Sequence, residues 1–130
     1  MLKKVVMASA VAVAILAGVA AQAHHSVNAE FDVSKELTIV GTLTKLDNIN
    51  PHSWWYVTVK DKAGKEQKWR LESLAPGGLI RQGLKVKTDL KIGEAYTFKI
   101  LPAWKDPADA KMGWIKSVTV NGKEFIIVEV

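Results

Sequence analysis

The chain has no cysteine. Disulfides and thiolate metal sites are therefore excluded, leaving nitrogen, oxygen and thioether ligands. Enzyme signatures are lacking too: there is no Gly-rich phosphate loop and no nucleophile elbow. Carboxylates such as Glu72, Asp106 and Asp109 show no pairing that spacing alone marks for acid–base work, and they read as surface charge. No repeat, low-complexity tract or internal linker divides the sequence. Neither sign of charge dominates: 18 Lys and Arg stand against 13 Asp and Glu for a net +5, spread along the chain. So mild an excess points to no nucleic-acid partner.

What is present begins with a leader. Lys3 and Lys4 form a positive start, Val5 to Ala20 is apolar and uncharged, and Ala21 and Ala23 stand at the −3 and −1 places of an A-x-A cleavage site. The apolar run is shorter than the roughly 20 residues a spanning helix needs, so removal is expected over anchoring. Residues 1–23 then form a cleaved signal peptide, and 107 of the 130 residues remain, enough for one modest core. An exported chain without disulfides fits the periplasm of a two-membrane bacterium. No membrane partner is expected once the leader is gone.

Residues 24–35 lack a clean period and read as an N-terminal arm, with Phe31 and Val33 as residues that could pin it to the body. From residue 36 to residue 130 the pattern is β. Leu37, Ile39, Gly41 and Leu43 alternate with threonines and valine, and the apolar phase slips to Leu46, which predicts a bulge near Thr44–Lys45. Asp47 to Ser53 reads as a turn, Trp54 to Lys60 as a second strand, and Glu66 to Ser73 as a third. Pro76 to Gly83 suits a short helix capping a barrel end through Leu79 and Ile80. Leu84 to Gly93 reads as a connection with Leu90 and Ile92 tucked inward. Ala95 to Pro102 and Trp114 to Val120 are further strands, and Asn121-Gly122 is a strong hairpin signal into Phe125–Val130. Three meander strands, a helix, then two or three strands predict a mainly β fold: a small OB-like barrel of five to six strands, with its helix between the third and fourth.

Several motifs sit in this frame: Ala23-His24-His25-Ser26, Glu30-Phe31-Asp32, Gly41-Thr42, Asn50-Pro51-His52, the Lys60–Gly64 hairpin and Leu90–Gly93. Together they resemble an uncharacterised family of small exported bacterial proteins, a domain of unknown function. The likeness covers nearly the whole chain after the leader. It implies the compartment and an OB-like barrel, and no activity. The stretch Lys85-Val86-Lys87-Thr88 departs from relatives, which carry an aromatic after the helix glycine.

The histidines carry the chemistry. Cleavage after Ala23 leaves His24 with a free α-amine beside its own imidazole, a chelate that Cu(II) favours. The amine sheds its proton at about pH 8, against about 10.4 for a lysine, so it is the better ligand near neutrality. His52, placed in the loop between the first two strands, would supply a second imidazole. That ligand set is similar to the histidine brace of copper-dependent polysaccharide monooxygenases and some periplasmic copper carriers. An arm of about 12 residues reaches up to ~40 Å at roughly 3.3 Å per residue, so distance is no obstacle. His25 is an alternative third ligand. Zinc would want a fourth ligand such as Glu30 or Asp32. The competing reading is that His24 and His25 are only a polar start and that His52 bonds within a turn.

The aromatics offer a second surface. Trp55 and Trp69 fall in phase with aliphatics and read as core, whereas Trp54 and Tyr56 fall on the outer face of the second strand. With Arg70 and Trp104 they would form a ligand-binding face. Their alternative role is to pack beneath the arm or the loop at 103–112. The leading expectation is a non-catalytic periplasmic protein that binds copper for storage or delivery. A binding module for a small molecule, glycan or periplasmic protein on the face of the second and third strands comes next. A small copper oxidase comes third.

Overall fold

The computed structural model describes residues 27–128. Six strands and two short helices follow the order β1 (Leu37–Asp47), β2 (His52–Lys60), β3 (Glu66–Leu74), α1 (Pro76–Arg81), α2 (Val86–Asp89), β4 (Ala95–Pro102), β5 (Lys111–Val120) and β6 (Lys123–Ile126). Residues 27–30 are helical and are described by themselves.

β1 serves two partners. Its first half pairs with β4 from Leu37↔Ile100 to Thr42↔Ala95, and its second half pairs with β2 from Thr42↔Thr58 to Asp47↔Trp54. Gly41 marks the changeover. A Cβ there would collide with Val57 and stand 2.9 Å from the Thr58 carbonyl oxygen, so a side chain is excluded. The expected bulge lies between Leu43 and Lys45. β3 then runs parallel to β5 from Trp69↔Lys111 to Glu72↔Trp114, which closes five strands into a barrel. β6 is added beyond β5 through the tight Asn121-Gly122 turn, whose two residues both have positive φ. The OB-like barrel expected from the strand order is the fold observed.

Inward residues of alternate strand positions fill the interior: Leu43, Trp55, Val57, Leu71, Phe98, Ile100, Ile115 and Val118, with Leu79, Leu84 and Leu90 closing one end. Trp55 and Trp69 are core as expected.

Several boundaries shift. β2 begins at His52, so the β1–β2 turn shortens to Asn48–Pro51 and His52 belongs to a strand instead of a loop. β5 begins at Lys111, because its first four residues are what pair with β3. A helical turn, α2, occupies part of the expected connection. β6 spans Lys123–Ile126, and residues 129–130 fall outside the described residues. Ile92, Ile80 and Val33 face solvent instead of the core. Leu90 alone of its pair is buried, as the last residue before a turn that swings Ile92 outward.

An ion-pair group sits where β1, β4, β5 and β6 meet. Lys116 donates to Glu36 at 2.8 Å, and Lys99 lies 3.0 Å from Glu124, which also accepts from the Ser117 hydroxyl at 2.7 Å. The Lys116 bond holds the Glu36 carboxyl below its usual range, and the Ser117 hydroxyl, then Lys99, does so for Glu124. The Ser34 hydroxyl, 2.6 Å away, does the same for Asp32. Glu124 in turn raises Lys99. Depressed carboxyls stabilise the fold above their unfolded-state values and lose that contribution as the pH falls through the lower folded values. A raised lysine contributes below its unfolded value and loses it as the pH rises through the folded one. The expected urea midpoint is flat from about pH 5 to about pH 9, falls in acid, and falls again in strong alkali. Glu124→Gln should flatten both limbs; an unchanged pH profile in that variant would refute the assignment.

Candidate metal centre on the outer face of the barrel

The β2–β3 hairpin sets the site by register. Its pairing runs from Lys60↔Glu66 back to His52↔Leu74, which puts Glu72 opposite Trp54 and diagonal to His52 on the outward face. On the other side of β3, Glu72 is paired with Trp114 of β5. A carboxylate that sequence alone assigns to the surface is therefore flanked by two indoles, and its residue is only 6% exposed.

Two packing contacts complete the burial. Phe31 leaves the arm, bridges to Ala103, and seats its ring 5.7 Å from that of Trp114. The next amide, of Asp32, donates to the Pro102 carbonyl at 2.8 Å. Trp114 in turn receives the edge of His52, with centroids 5.2 Å apart at 90°. Its indole N–H is buried and has no acceptor among the described residues.

His52 Nδ1 lies 2.6 Å from Glu72 Oε1. A carboxylate accepts, so Nδ1 carries the hydrogen and donates, which leaves the lone pair of a neutral ring on Nε2. No hydrogen-bond partner for Nε2 occurs among the described residues, and the His52 side chain is 39% exposed against 8% for that of Glu72. Ordering a ring through Nδ1 while presenting Nε2 is how proteins prepare a histidine as a metal ligand. Upstream, Ser53 Oγ donates to Asn48 Oδ1 at 3.0 Å, fixing the short loop that contains the cis Asn50–Pro51 peptide.

Among the described residues no group of three His, Asp or Glu converges on one point. His24 and His25 lie outside the described residues. Asp32, considered as a zinc ligand, is instead engaged by the Ser34 hydroxyl and amide and by Lys35 at 3.6 Å.

The four aromatic and basic residues of the second surface are divided. Tyr56 and Arg70 are register partners and share a groove of about 460 Å³ with Thr44, Lys68 and Trp69. Lys45 stands over the Tyr56 ring at 5.0 Å, and Arg70 faces Asp109 at 3.5 Å. Trp54 belongs with Glu72, and Trp104 lies 60% exposed on the β4–β5 loop without lining the groove. Asp106 is a loop staple: it accepts from the Met112 amide at 2.9 Å and faces Lys111. Sequence reasoning misses Glu72 and Trp114. Counting back along the hairpin register from Lys60↔Glu66 would have placed Glu72 beside His52, whereas the Trp114 contact required knowing that β3 meets β5.

A family model described as a family of unknown function, DUF6152, matches residues 11–113. The chain belongs to the DUF6152 family. The match takes in His52 and Glu72 and ends at Gly113, the residue before Trp114. Membership agrees with the resemblance drawn from the sequence to an uncharacterised family. No curated protein matches the chain.

Proposed function

We propose that this DUF6152 protein is an exported copper-binding protein that stores or delivers Cu(II). In this reading the leader is removed after Ala23, and the amine and imidazole of the new terminal His24 chelate the ion. The Nε2 of His52 adds a third nitrogen. The observation that carries the reading is the His52–Glu72 contact at 2.6 Å, which orients one imidazole and leaves a single nitrogen available outward. Chain length is compatible with it. His24 precedes Phe31 by seven residues. With 27–30 helical at about 1.5 Å each and the remaining three at up to roughly 3.3 Å each, the stretch covers up to about 16 Å, and Phe31 is seated on the same Trp114 that His52 touches. Nitrogen-only ligation favours copper over zinc here, since Asp32 is already engaged.

The test begins with intact mass of the exported protein, which should start at His24. Copper titration should then give one tight equivalent. A version with one extra residue ahead of His24, and separately His52→Ala, should lose that tight step while keeping the barrel's circular dichroism. A product that starts elsewhere, or a processed protein that ignores cupric ion, sinks the proposal. A second reading rests on the Tyr56–Arg70 groove, which has the size and mixed aromatic and cationic lining of a small-molecule or glycan site. It gains support if that titration is silent and Arg70→Ala abolishes binding of a glycan ligand.

A further inference from the structure

We propose that the end of the barrel carrying α1 and α2 docks peripherally on an anionic lipid bilayer. The observation is a cluster of apolar and basic side chains drawn from three separate connections. Ile49 of the β1–β2 loop, Ile80 of α1 and Ile92 of the turn before β4 are 51%, 66% and 62% exposed. Two adjoining grooves of about 300 and 240 Å³ connect Ile80 and Ile92. Ile80 lines the first and Ile92 the second, while Asn48, Val86 and Lys87 form walls common to both. Ile49 follows Asn48 directly in the chain.

The cations decide the occupant. Arg81 follows Ile80, Lys85 and Lys87 line the first groove, and Lys91 precedes Ile92. Arg81, Lys85 and Lys87 have no carboxylate within ion-pair distance among the described residues. Lys91 has only Glu94, at 4.0 Å. The one acid between Ile80 and Ile92, Asp89, is turned onto the Lys85 amide at 2.7 Å. Three cations without an ion-pair partner among the described residues thus stand near aliphatic side chains that project outward. Projecting isoleucines ringed by basic groups suit the boundary of an anionic membrane: aliphatics enter below the headgroups while Lys and Arg meet the lipid charge. Among the described residues no helix is long and apolar enough to cross a membrane. Peripheral docking departs from the expectation of no membrane partner, which rested on removal of the leader.

The test is sedimentation of the full chain, as purified from the cells that make it, with vesicles of phosphatidylcholine alone and of roughly 3:1 phosphatidylcholine to phosphatidylglycerol. All variants share one N-terminus, so any contribution from it cancels in their ratios. The wild type should favour the anionic vesicles and lose binding in high salt. Lys85→Ala and Lys87→Ala should each lower partitioning roughly fivefold. Ile80→Ser with Ile92→Ser should lower it further, with circular dichroism unchanged. Lys62→Ala with Lys65→Ala removes two charges from the β2–β3 hairpin, which lines neither groove, and should leave partitioning near wild type. Absence of preferential binding to anionic vesicles overturns the proposal. So does an equal loss in hairpin and patch variants, which would mean general charge attraction. One-to-one binding of dissolved oleate without vesicle partitioning also overturns it and makes the groove a site for a free amphiphile.

Discussion

Trp55→Ala should destabilise the barrel by about 3–5 kcal/mol and lower its thermal midpoint by roughly 15–30 °C. Trp55 is fully buried on the inward face of β2, with its ring edge-on to Phe98 at a centroid distance of 5.9 Å. Its indole N–H donates to the buried Ser73 hydroxyl at 2.8 Å. Truncation therefore leaves a cavity in a single small core and removes a donor from an acceptor shielded from water. Close packing on every side prevents the neighbours from collapsing into the space. Ile80→Ala, which shortens an exposed aliphatic, should shift stability by less than about 0.5 kcal/mol. Near-ultraviolet circular dichroism during heating measures both. A Trp55→Ala midpoint within a few degrees of wild type would mean that the core does not depend on this ring.

Glu72→Gln should weaken copper binding roughly 10- to 100-fold while leaving the barrel folded. Glutamine has nearly the same shape and can still accept from His52 Nδ1 through its amide oxygen, so the 2.6 Å contact survives as a neutral hydrogen bond. What disappears is the negative charge that makes the imidazole a better electron donor at Nε2. The effect is thus on affinity for the ion, read by competition titration with a chelator of known strength. Thermal unfolding of the metal-free variant separates this from damage to the fold. If Glu72→Gln binds copper as tightly as wild type, the carboxylate is structural and His52 loses its claim as a prepared ligand. Failure of the His24 extension alone would instead remove the amine.

Much of the fold is legible because strand formation is written in local alternation. Trp55, Val57, Trp69 and Leu71 could be assigned inward from period two, and the slip from Leu43 to Leu46 located the bulge. Asn121-Gly122 announced its hairpin because two successive positive-φ residues suit few other structures. Edges were harder. His52 reads as loop after Asn50-Pro51, yet it is drawn into β2 because β3 extends to Leu74 and pairs with it there. Ile80 and Ile92 follow the composition of buried residues and still face outward, since position on a short helix or turn, not hydrophobicity, decides which way a side chain leaves.

The site divides in the same way. The three histidines, the Trp54–Tyr56 pair and Arg70 can be picked out by residue type and phase. Glu72 cannot, because nothing in its neighbourhood along the chain marks a buried acid.

The sequence by itself determined the strands, their inward faces, the order that leads to a small barrel, and the family. The first three follow from short-range periodicity and turn chemistry, and the family from its motifs. Only the tertiary structure decided that β3 would lie beside β5, that Phe31 would cover Trp114, and that Glu72 would consequently be held from water against His52. It also decided that four cations and three isoleucines would gather at one end. Those outcomes depend on which distant segments become neighbours when the barrel closes, and closure is a property of the whole sheet that no local stretch encodes.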